Sequence, residues 1–294
     1  MFVGLLMVAS GAVAGVFGSL LGLGGGILIV PILTFGFGLP LRESVGVSLV
    51  CVIMTSSAAA GVYLERHIAN LRLGMTLELF TATGALVGGS IAFLLDDQIL
   101  SLLFASLLLY VAFTMLRRRP PAPASAPAAA DGMPAADGMP AADGMPAGDA
   151  VAPSLASHDR PTLLEQLSGE GYRVRNLGRG IVGAIFAGVA SALLGIGGGI
   201  IKVPLMHLSM GVPLRVATAT SNLMIGITAA ASAVIYLIRG GIDPYVAGPT
   251  AIGVFIGATA GSRLGHKVDV RLLRMLFVVV LLYTAVQMFL RAFK

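Results

Sequence analysis

The sequence predicts an all-α integral membrane protein built from two homologous, inverted helical repeats, each containing a broken or re-entrant glycine-rich helix. Three observations predict it. Of 294 residues, 56% are hydrophobic and only 11% charged, with a mean hydropathy of +0.93, whereas a soluble domain carries about a quarter charged residues. The apolar residues gather into runs of roughly 20, the length that crosses about 30 Å of hydrocarbon. The second half of the chain then repeats the first in a single register.

The first apolar run, 2–21, is expected to be a mature helix, because no Lys or Arg precedes it as a signal peptide would require. The runs 27–39, 44–64, 74–95 and 98–116 complete the first half. Their counterparts are 178–194, 200–212, 217–238, 245–264 and 272–290. The second run of each half is too short to span a bilayer. Setting Pro31 over Pro204 gives an offset of 173 that holds without a gap from Gly15 to Arg118. It places Gly38, Pro40 and Arg42 on Gly211, Pro213 and Arg215, Tyr63 on Tyr236, and Gly84 and Gly88 on Gly257 and Gly261. The expected organisation is a first membrane repeat over 1–118, a linker over 119–177 and a second repeat over 178–294.

The linker opens on Arg117–Arg119 and a Pro/Ala tract, then carries Ala-Asp-Gly-Met-Pro-Ala three times between Ala130 and Ala147. Such a composition cannot bury a core and predicts disorder, with a short surface helix near 161–170. Positive charge flanks it on both sides, through Arg117–Arg119 and Arg173, Arg175 and Arg179, which predicts a cytoplasmic location. In the first half the positive loop holds Arg66, His67 and Arg72. In the second half the bias moves to the other side, to Arg263, His266, Lys267, Arg271 and Arg274. Equivalent loops facing opposite sides are the sign of an inverted repeat. Tryptophan is absent, so Tyr63, Tyr110, Tyr236 and Tyr283 are the candidates for interfacial anchoring.

Gly22-Leu-Gly-Gly-Gly26 and Gly195-Ile-Gly-Gly-Gly199 interrupt the apolar runs in corresponding places. No Gly-Lys-Ser/Thr ending follows, so neither is a phosphate loop. Glycine runs weaken a helix by about 1 kcal/mol per residue relative to alanine. Unwound backbone at membrane depth must be buried in protein or line a watery cavity. The short segment after each break starts a half-helix whose free N–H groups suit an anion. Gly22, Gly24, Gly25, Gly26, Gly195, Gly197, Gly198 and Gly199 are therefore candidate substrate-binding residues, against the plainer reading that they only allow close packing.

The segments Gly22-Leu-Gly-Gly-Gly-Ile-Leu-Ile-Val-Pro31 and Gly195-Ile-Gly-Gly-Gly-Ile-Ile-Lys-Val-Pro204 resemble those of the sulfite exporter TauE/SafE family. Gly46-Val-Ser48 and Ala219-Thr-Ser221 resemble the small-residue segments that follow them there. The resemblance covers nearly everything except the linker. It implies a multi-pass permease of the bacterial inner cell membrane for small sulfur-containing anions such as sulfite or organosulfonates, often an exporter.

Individual side chains extend the candidate site. Lys202 stands where the first half has Ile29; a lysine deep in an apolar segment is costly unless paired or hydrated, and a bound anion or an acid such as Glu78 would offset the cost. Ser48, Ser221 and Asn222 offer donors near the starts of the third runs, where the alternative is hydrogen bonding between helices. Glu78 has no acidic counterpart, since Ala251 is its partner in the repeat. It is a candidate for carrying a coupling proton, or for an ion pair with nearby Arg72. Arg42 and Arg215 read as solvated residues at the mouths of the short hairpins, His207 as a lone histidine and Cys51 as apolar filler.

The expected partners are the lipid bilayer, a small anionic substrate and coupling protons. The scattered positive charge gives no nucleic-acid footprint. No cofactor is expected, and neither a metal nor a catalytic motif is found: a single cysteine allows no CxxC, and no His-Glu-x-x-His is present. The leading expectation is a secondary transporter rather than an enzyme. The alternatives are a noncatalytic membrane scaffold and a transporter of another small anion or metabolite.

Overall fold

The computed structural model describes residues 2–21, 25–65, 69–117, 168, 172, 174–264 and 270–293. Gly22, Gly24, Arg66, His67 and nearly all of the linker lie outside the described residues. The described residues form helices and no β-strand. In the first half these are α1 (Phe2–Leu21), α2 (Gly26–Pro31), α3 (Leu41–Glu65), α4 (Leu71–Ala92) and α5 (Asp97–Arg117). In the second half they are α6 (Leu177–Leu194), α7 (Gly199–Pro204), α8 (Leu214–Ile238), α9 (Pro244–Leu264) and α10 (Val270–Ala292). Each long predicted apolar run is thus one helix with ends shifted by a few residues, and each short run is a six-residue helix followed by a π turn.

The short helices show why the runs break where they do. Gly25 and Gly198 cap α2 and α7 in the left-handed region, at φ 72° and 76°, a conformation that glycine adopts without steric cost. Each helix then meets a proline, Pro31 or Pro204. Proline supplies no N–H and pushes away the carbonyl four residues earlier. The backbone continues as a single wider π turn, Ile32–Gly36 in one half and Leu205–Ser209 in the other. Even the closing bonds repeat: Leu39 N–H donates to Leu33 O at 3.2 Å and Val212 N–H to Met206 O at 3.0 Å.

The two halves pack by exchanging equivalent helices. α1 packs along α9, and its counterpart α6 along α4. α3 lies against α8, α5 against α10, and the α4–α8 contact has its counterpart in α9–α3. Glycine makes the closest of these contacts. A Cβ on Gly257 would overlap the Ala12 carbonyl and one on Gly15 the Val254 carbonyl, so α1 and α9 touch backbone to backbone. Gly84 and Gly188 do the same for α4 and α6, against Ile185 and Thr81.

The polarity runs opposite to that of a water-soluble protein. Leu5, Met75, Phe186, Tyr283 and Leu290 are exposed on the outer faces, while Ser48, Glu78, Lys202, Ser221 and Thr228 are buried. Seven of the described helices are long and apolar enough to cross a membrane, and an outer apolar surface of this kind suits lipid. α9 falls outside that seven, carrying Gly248, Gly253, Gly257, Gly261 and Pro249 in place of larger apolar residues. One tyrosine departs from its expected place. Tyr236 is fully buried against Phe93, with its hydroxyl on Ala192 O at 3.0 Å, so it braces α6 against α8 instead of anchoring at the interface. Tyr110 and Tyr283 are exposed.

Candidate functional site

The two glycine breaks meet. A Cβ on Gly26 would stand 2.5 Å from Gly195 O and 3.0 Å from Ser48 Oγ. Ser48, on α3, shares its hydroxyl proton between Gly195 O at 2.8 Å and Gly26 O at 3.1 Å. One side chain therefore clasps the first break to the second, whose Gly195 lies 147 residues beyond Ser48 in the chain. The only donor of Ser48 is spent on the backbone, which makes the residue a clasp.

Ser221 stands at the equivalent position on α8 and behaves differently. Its hydroxyl is buried and has no hydrogen-bond partner, and it lies 3.7 Å from where a Cβ on Gly199 would be. Ser191, in the last turn of α6, is likewise buried with an unpartnered hydroxyl. Ser191 Cβ and Lys202 Cε lie 3.3 and 3.4 Å from the place a Cβ on Gly198 would take. The second break is thus lined by two idle hydroxyls and one lysine stem. Buried polar atoms almost always find a partner, and these two stand without one beside the same unwound segment. Gly197 is packed instead, against Ile225 and Val52.

Lys202 is 1% exposed. Its ammonium lies 3.1 Å from Glu78 Oε2 and donates to Thr228 Oγ1. Thr228 in turn donates to Glu78 Oε1 at 2.6 Å, with Met224 O at 3.0 Å as the alternative acceptor. The acid that Lys202 meets is the one the sequence left as an option, and Glu78 pairs with Lys202 rather than with Arg72, which is exposed on α4. The triad joins α4 of the first half to α7 and α8 of the second. Asn222 is half-buried, and its carbonyl accepts from Ser56.

Sequence reasoning missed Ser191 and gave Thr228 no special part. The signal for Thr228 was present: it lies two helical turns beyond Ser221 on the same face of α8, with Ser232 one turn further. Ser191 gave none, since its repeat counterpart is Gly18. Arg42 also differs from expectation. It is part-buried, 2.8 Å from Leu95 O and 3.3 Å from Asp97, above the Phe93 ring, so its charge holds the α4–α5 turn. The apolar grooves of about 580 and 320 Å³, between α3 and α9 and between α5 and α10, have no charged lining residue and include none of these polar groups.

The family model of the sulfite exporter TauE/SafE proteins matches residues 7–288. The chain belongs to this family. Relatives of this TauE/SafE protein include the probable membrane transporter protein YunE of Bacillus subtilis, 24% identical over 291 residues, covering 96% of each chain. A probable membrane transporter protein of Methanocaldococcus jannaschii is 26% identical over 275 residues, covering 90% of this chain and 85% of the relative. One of Xylella fastidiosa is 25% identical over 266 residues, covering 90% and 86%. No solved structure matches significantly. Family and helices together make this TauE/SafE chain a multi-pass membrane transporter.

Proposed function

We propose that the protein is a secondary permease of the inner cell membrane that exports small sulfur-containing oxyanions, sulfite or organosulfonates, through a site at the second glycine break. The observation that carries this reading is the grouping of Lys202 with the unpartnered hydroxyls of Ser191 and Ser221 around Gly198 and Gly199. Hydroxyl and ammonium donors match oxyanion acceptors. Paired breaks where two repeats meet are where transporters of this general construction hold substrate. The exchange of equivalent helices between the halves supports an inverted relation, in which rocking one repeat against the other exposes the site to each side in turn.

Counterflow of labelled sulfite and of methanesulfonate in liposomes containing the purified chain tests the proposal. Saturable exchange of either, inhibited by the unlabelled anion, is the expected result. Exchange no faster than in empty liposomes would dismiss the reading.

A further inference from the structure

The buried triad is more than a counter-ion arrangement for one lysine. Lys202 has three N–H donors, and the structure gives two of them partners, Glu78 and Thr228. The carboxylate is held at both oxygens, Oε1 by Thr228 and Oε2 by Lys202. Like a sulfonate or hydrogen sulfite, it is a singly charged group of oxygens that accepts from an ammonium. Glu78 reaches it from the first half, Lys202 from the second.

Charge conservation then constrains binding. The Lys202–Glu78 pair is neutral as a unit and sits where both side chains are 5% exposed or less. An anion arriving at Lys202 would leave two negative groups and one positive group in a water-poor place, which is strongly unfavourable. Taking a proton onto Glu78 restores neutrality. It also turns the carboxylate from an acceptor of the Lys202 hydrogen bond into a donor, freeing the ammonium. Among the described residues, Lys202 is the charged group that meets Glu78. Arg72 on α4, Arg179 on α6, His207 after α7, and Arg215 and Arg239 at the two ends of α8 are all exposed.

Resting on the transport reading above, we infer that Glu78 is an internal stand-in for the substrate, so that anion binding at Lys202 and proton uptake by Glu78 are one event. The anion and the proton then move together in the same direction. Because the bound pair replaces a neutral pair, a monovalent anion crosses without net charge. The first repeat supplies the proton carrier and the second the anion donors, which gives each half of a sequence-symmetric protein a separate task.

The test is a proton count on the full chain in detergent. Sulfite is titrated into weakly buffered wild-type protein and Glu78→Gln, with a pH dye reporting protons and tryptophan-free thermal shift reporting binding. Taking the difference between the two proteins cancels sulfite's own protonation. About one more proton should be taken up per anion by the wild type. Glu78→Gln should bind sulfite about tenfold tighter or more, because its internal competitor is neutral, and its affinity should lose the wild type's fall with rising pH. A glutamate that only braced the helices would give weaker binding in the variant and no change in proton count. If Glu78→Gln does not assemble, methanesulfonate, which stays a monoanion, replaces the difference measurement on wild type alone. Anion binding with no proton uptake there, or equal uptake in both proteins, would overturn the inference while leaving transport intact. Absence of binding by either anion would remove the transport reading first.

Discussion

The two glycine breaks share a backbone and differ in chemistry. Both turn through left-handed glycines, both start a six-residue helix, and both run into a proline followed by a π turn. Around the first, the side chains are closed: Ile29 is buried among apolar residues and Ser48 is committed to two carbonyls. Around the second, Lys202 carries a charge, and Ser191 and Ser221 are left without partners. The same backbone thus occurs twice, once with its side-chain donors committed and once with them free. The comparison predicts that equivalent changes in the two halves will have unequal effects.

The largest effect is expected from bulk at the second break. Gly198→Leu forces a left-handed backbone on a branched residue, at a cost of about 1–2 kcal/mol. It also drives the side chain toward Ala187 O, Ser191 and Lys202. Exchange should vanish while membrane insertion persists. Gly25→Leu carries the same backbone cost, but its nearest neighbours, Thr55 and Ala14 O, lie 3.5 and 3.6 Å away. It should leave more residual activity, and equal loss in the two would show that the breaks have the same task.

Packing changes should act on stability and not on substrate. Gly257→Ala and Gly84→Ala each set a methyl against a backbone carbonyl at equivalent interfaces, α1–α9 and α4–α6. Each should cost about 1–3 kcal/mol of overpacking, read as a lowered midpoint of thermal unfolding in detergent. Matching losses with unchanged sulfite affinity would fit the symmetric role given to these glycines. A change of affinity in either one would mean that the site reaches further than the second break.

The smallest effect is expected from the linker. Removing residues 125–160 should leave insertion and exchange near wild type, because repeated Ala-Asp-Gly-Met-Pro-Ala offers nothing to a core. Protease cleavage at Asp137 from the periplasmic side of intact cells would reverse the proposed orientation.

Much of this architecture could be read from the chain. Glycine, proline and the length of apolar runs act locally, so the breaks, the short helices and the ten helices of the described residues followed from sequence spacing. The polar centre did not follow so fully. Lys202 and Glu78 are 124 residues apart and each lacks a counterpart in the other repeat, so the cost of a buried lysine could offer Glu78 as one option beside a bound anion and Arg72 as another partner for Glu78, without choosing among them. Tyr236 shows the same limit. Its position near the end of an apolar run suggests an interfacial anchor, yet packing against Phe93 and the Ala192 carbonyl draws it inside. Arg42 resembles a solvated charge until Asp97 and Leu95 O are placed beside it by the α4–α5 turn.

The claim that the second break holds the anion is tested most directly by substrate-induced thermal stabilisation of two variants side by side, Lys202→Met and Ile29→Met. Lys202→Met removes a buried charge, and with it the main donor, so stabilisation by sulfite should fall at least about tenfold in apparent affinity. Lys202→Arg should recover only part of this, since a planar fork has a different reach. Ile29→Met is a conservative apolar exchange and should behave as wild type. Equal loss in Lys202→Met and Ile29→Met, or no loss in either, would contradict the account and remove Lys202 from the site.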